Sequence, residues 1–72
     1  KADIRAVLMD DRITLSIDNP YDNITVRGEL PPHMLEQSVT VNPKGIAFSR
    51  KNGGALDLTI PGNIKQATIA TR

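Results

Sequence analysis

Apolar residues recur at every second position over most of this chain. In Arg12–Asp18, Ile13, Leu15 and Ile17 fall on one side, and Arg12, Thr14, Ser16 and Asp18 on the other. That is the period of a half-buried strand. Val39 and Val41, then Ile46 and Phe48, then Leu56, Leu58 and Ile60 repeat the alternation across residues 39–60. Asn42-Pro43-Lys44-Gly45 and Arg50-Lys51-Asn52-Gly53-Gly54 divide that stretch into three strands, because Pro, Gly and Asn preset turn geometry. Residues 23–30, with Ile24, Val26 and Leu30 inward, read as a strand returning from a turn at residues 18–23. Gly28 interrupts it where a side chain is expected, which predicts a bulge or a close backbone approach. Pro31-Pro32 stops pairing, since neither residue can donate to a ladder. Residues 33–37 are a connector of about one helical turn, with Met34 and Leu35 over an end of the core. Residues 64–71 form a last strand, with Ala67 and Ile69 alternating and Ile64 in the opposite phase.

The start of the chain has a different period. Within residues 2–9, Ile4, Val7 and Leu8 are at helical spacing, with Asp3 placed to cap. A segment this short is unstable as an isolated helix, so it is expected to be the end of a longer helix or a short helix docked on a sheet. A strand over residues 4–8 is the alternative. The expected fold is mainly β: one domain over residues 1–72, with an antiparallel meander sheet of five to six strands at 12–71 and a short helical cover at 1–9. Turns of two to six residues and the lack of a crossover helix make the sheet antiparallel. The apolar face then needs a cover, so the sheet curls on itself or a partner supplies the surface.

At 72 residues the core is small, and roughly 3–5 kcal/mol is what such a core commonly supplies. Tyr21 and Phe48 are the only aromatics, and there is no cysteine, so neither a disulfide framework nor a thiolate metal site is available. No run of about 20 apolar residues is present to span a bilayer. The first residue is Lys1 rather than Met, which reads as a processed or trimmed chain. Charge is uneven along the sequence. Residues 1–41 hold four basic and seven acidic groups, net −3; residues 42–72 hold five basic and one acidic, net +4. Such asymmetry marks a face for an anionic partner or two faces that meet in an assembly, unless the turns are merely solvated by these charges.

Catalytic chemistry has little to build on. Asp10-Asp11, Asp18 and Asp22 sit at turns, where Asp serves the backbone, and paired-acid catalysis needs carboxylates across a cleft. His33 is the only histidine and makes no typical zinc site alone. Gly53-Gly54 lacks the spacing of a phosphate loop and no helix follows it; a hairpin turn accounts for it. Asn23-Ile24-Thr25 matches a glycosylation sequon, and Thr25 is already explained as a strand residue. Lys44, Arg50, Lys51, Lys65 and Arg72 make a basic set able to meet a phosphate backbone, without the aromatic platform that single-strand binding uses. No catalytic, cofactor-binding or metal-binding residue is expected.

Leu30-Pro31, the run Val39-Thr40-Val41-Asn42-Pro43-Lys44-Gly45, and Gly53-Gly54-Ala55-Leu56-Asp57-Leu58 together resemble the globular part of minor type IV pilins and pseudopilins. The type is the GspH/FimT group, which includes competence pseudopilins such as ComGD. The likeness covers roughly residues 12–70. Val41 stands where an aromatic is usual, and the Gly-x-Gly-Arg type of ending is reduced to Ala70-Thr71-Arg72, a departure from the family's pattern at its DNA-binding tail. The resemblance implies that residues 1–9 end the pilin helix and that the sheet packs on it. It further implies a non-enzymatic subunit of a pilus, competence pseudopilus or type II secretion pseudopilus, located extracytoplasmically at the cell surface or in the periplasm. Its partners would be other pilin or pseudopilin subunits, with DNA as a further candidate and the membrane reached only through a helix outside this chain. The candidate contact residues are Lys44, Arg50, Lys51, Asn52, Lys65 and Arg72. The other readings are a small nucleic-acid-binding β-barrel using the basic second half, and a β-rich interaction module of an envelope or phage assembly.

Overall fold

In the computed structural model, residues 2–20 and 22–71 are described. They form seven strands: β1 (Asp3–Leu8), β2 (Arg12–Asp18), β3 (Asn23–Glu29), β4 (Val39–Asn42), β5 (Ala47–Arg50), β6 (Ala55–Pro61) and β7 (Gln66–Thr71). All pairings are antiparallel, as the short turns require. The strands do not make one meander. They divide into a four-stranded sheet, β1-β2-β7-β4, and a three-stranded sheet, β3-β6-β5.

The two sheets enclose one core. Ile13, Leu15, Ile17, Ala67 and Ile69 from the first sheet cluster with Leu56, Leu58 and Ile60 from the second, joined by Leu30, Met34 and Ile46. This is the answer to the uncovered sheet: the chain supplies its own second layer, as alternating strands do in a sandwich. Among the described residues the sheets keep free edges at β1, β4, β3 and β5, and no closed barrel forms. Four connections pass between the sheets, after β2, β3, β4 and β6. The expected hairpins therefore dissolve at the turns after β2, β4 and β6, and among the described residues only β1-β2 and β5-β6 are hairpins.

The N-terminal helix is not formed. Asp3–Leu8 pairs with β2 in the register Ile4↔Ile17, Ala6↔Leu15 and Leu8↔Ile13. Ile4, Val7 and Leu8 fit a helix of this length, yet Ile4, Ala6 and Leu8 also fit period two. A neighbouring strand with the same apolar spacing decides between them, since short apolar segments take their state from tertiary pairing.

Two further expectations change. Gly28 is neither a bulge nor a close approach: register runs through it to Leu56, and a Cβ there would meet nothing within 4 Å. Phe48 lies opposite Leu58 on the core side of β5, but the edge position leaves it 44% exposed. The connector behaves as anticipated in part. Pro32–Met34 is one 3-10 turn and Met34 is fully buried, while Leu35 stays outside.

Candidate functional site

The topology decides whether the basic residues can act together. Chain direction puts the β5-β6 turn at the same end as the β3-β4 connector, where Leu30 N–H donates to the Gly54 carbonyl (2.9 Å). Arg50, Lys51 and Asn52 are at that end. The β4-β5 turn carrying Lys44 and the β6-β7 turn carrying Lys65 lie at the opposite end, because β4 and β6 both run away from the first. Five of the six sequence candidates thus separate into two groups, and Arg72 lies outside the described residues.

Arg50 already has partners. Its guanidinium donates to the backbone carbonyls of Leu35 and Gln37, tying the end of β5 to the segment that leads into β4. Arginine suits this because its planar fork reaches two acceptors at once. Lys51 Nζ lies 3.7 Å from one Asp57 carboxylate oxygen, and Arg27 Nε lies 3.4 Å from the other. These pairs are largely exposed and contribute little to stability. Gly53 and Gly54 both have positive φ. A Cβ at Gly54 would overlap the Leu35 side chain, so this turn is shaped by close packing on the connector.

Elsewhere the arrangement is plain. Arg12 bonds its neighbour Asp11 (Nε to Oδ1, 3.1 Å), and that bond holds the Asp11 carboxyl below its ordinary range. Among the described residues, no three His, Asp or Glu side chains gather as a metal site would need, and no helix is long and apolar enough to cross a membrane.

The feature that sequence reading missed is on β1. All six of its residues are exposed. Among the described residues, Ile4, Val7, Leu8 and the adjoining Met9 make up most of the large exposed apolar side chains. Ile4, Ala6 and Leu8 share a face with the buried Ile17, Leu15 and Ile13, so they point to the core side. A cleft of about 230 Å³ opens between them and β3, floored by Leu15, Leu58 and Ile69. Gly28 on β3 presents no side chain to narrow it. The strand given as the alternative over residues 4–8 is the form observed, and its period-two set Ile4, Ala6, Leu8 is the signal for this face.

Hydrogen-bond alternation sharpens the geometry. Met9 N–H donates to the Arg12 carbonyl, and Ile17 N–H donates to the Lys65 carbonyl (both 2.8 Å). In an antiparallel ladder, bonded and non-bonded pairs alternate. Ile13, Leu15 and Ile17 therefore direct their backbone groups to β7, leaving Arg12, Thr14 and Ser16 to bond β1. It follows that Ile4, Ala6 and Leu8 turn their N–H and C=O groups to the open edge. The residues facing the cleft are also those with free ladder groups. Comparison with protein-family models, curated proteins and solved structures gives no match for this chain.

Proposed function

We propose that this chain is a non-enzymatic assembly subunit that works by protein-protein packing, with the open edge of β1 as its contact element. The observation that carries this reading is the coincidence of unpaired ladder groups with an apolar cleft along one strand. An exposed apolar edge is a template for strand addition. Its setting would be extracytoplasmic, in a pilus, a competence or secretion pseudopilus, or another surface assembly. The pilin form of the reading rests on the likeness over residues 12–70, and its sheet would pack without a helix at residues 1–9.

The nucleic-acid reading has less support, since Arg50 and Lys51 have intramolecular partners and lie at the opposite end from Lys44 and Lys65. A photo-crosslinking residue at exposed Val7, in the full-length protein in its native cell, tests the proposal. Covalent products with protein subunits of an envelope assembly are expected. Products with nucleic acid, together with salt-sensitive binding of short DNA at about 50 mM salt, would overturn it.

A further inference from the structure

Strand addition at β1 needs an occupant, and the strand's own sequence describes one. We infer that β1 pairs with β1 of a second copy, antiparallel about a twofold axis at Ala6. This inference deepens the assembly reading above by naming the partner. Antiparallel pairing on one axis puts Ile4 opposite Leu8 of the second copy, and Ala6 opposite its equivalent. All of these lie on the cleft face, and all turn their free N–H and C=O groups to the edge, so the ladder closes. Two four-stranded sheets then become one of eight strands, with each copy laying its apolar row beside the other's cleft.

Charge and apolar cover select this register. β1 carries only Asp3 and Arg5 as charges, both on the outer face. With the axis at Ala6, Arg5 lies opposite Val7, where its methylene stem can cover the apolar side chain, and Asp3 lies opposite Met9. An axis at Arg5 would oppose like charges, which destabilises a strand pair. An axis at Ile4 would match Asp3 with Arg5 but set Ala6, Val7 and Leu8 opposite no residue of the second copy's β1. The chain's net charge of +1 gives two copies no strong long-range repulsion. Nothing on β1 blocks addition: it has no proline, no lysine and an unbroken register with β2. An isologous twofold dimer is also the commonest symmetric assembly. A single strand pair is a small interface, so the dimer is expected to be weak and concentration-dependent.

The chain has no cysteine, which makes the register directly testable. Opposed bonded residues have Cα atoms about 5.5 Å apart, within the range of about 4.4–6.8 Å that a disulfide spans. Under mild oxidation, Ala6→Cys should give a covalent dimer. Ile4→Cys and Leu8→Cys should each stay monomeric alone and cross-link when mixed. Sedimentation of the wild-type chain should show concentration-dependent dimerisation, weakened at least tenfold in Leu8→Lys, whose substituted residue is exposed in the monomer. A dominant Ile4→Cys homodimer would overturn the register. A wild-type chain that stays monomeric at millimolar concentration, with no Ala6→Cys dimer, would overturn the pairing itself. If that monomer still cross-links to other subunits through Val7 in cells, the assembly reading stands while the self-pairing falls.

Discussion

β1 and β4 are the two outer strands of the same four-stranded sheet, and they meet water differently. Every residue of β1 is exposed, whereas Val39, Thr40 and Val41 of β4 are half-buried. Composition does not explain this, because DIRAVL is no less apolar than VTVN. The difference lies in what reaches each strand. β4 is fed by a connector whose Met34 is buried in the core and whose Leu35 and Gln37 carbonyls are held by Arg50. β1 is held in the fold by its ladder with β2, and across from it β3 offers Gly28. An edge strand is closed or open according to its neighbours in the other layer.

Breaking the closed side should cost most. Met34→Ala removes a fully buried side chain from the connector, and should lower unfolding free energy by about 2–5 kcal/mol in denaturant titration. Gly54→Ala drives a methyl group into Leu35 at a positive φ and should cost about 1–3 kcal/mol by the same measurement. Arg50→Ala removes both carbonyl contacts at an exposed position, at about 1 kcal/mol. Arg50→Lys should restore less than half of that, since a point charge lacks the fork.

On the open side the same assay should read almost nothing. Leu8→Ala in the dilute monomer should stay within about 0.5 kcal/mol of wild type, as for surface positions generally. The smallest effect concerns acid. Asp11 titrates below its ordinary 3.8 because Arg12 bonds its carboxylate. A carboxyl with a depressed folded value stabilises above the unfolded value and loses that contribution as pH falls through the folded one. Asp11→Asn should therefore differ slightly from wild type above about pH 4 and converge with it toward pH 2, in thermal melts across that range.

The strands themselves were largely legible in the sequence. β2 runs over Arg12–Asp18 with Ile13, Leu15 and Ile17 buried, as its alternation dictates. β6 likewise buries Leu56, Leu58 and Ile60. The pairing was not legible. Period two says which face of a strand is apolar, but not which of two sheets it joins, so β4 and β5 looked like neighbours and belong to different layers. The turn at residues 42–45 is equally compatible with a hairpin and a crossing. β1 shows the complementary limit, because Ile4, Val7 and Leu8 satisfy a helix while Ile4, Ala6 and Leu8 satisfy a strand, and only the register with β2 decides. The basic candidates were chosen for charge at turns. Arg50 proves to serve the backbone of its own chain, a long-range contact that spacing does not encode.

Amide hydrogen exchange along β1, followed residue by residue at low and high protein concentration, tests the central claim most directly. In dilute solution the Arg5 and Val7 amides should be protected by β2, while those of Ile4, Ala6 and Leu8 exchange freely. Raising the concentration should protect Ile4, Ala6 and Leu8 together. Uniform protection of residues 4–8 in dilute solution, or free exchange of Ile4, Ala6 and Leu8 at every concentration, would contradict the account of β1 as an open edge that pairs with its own copy.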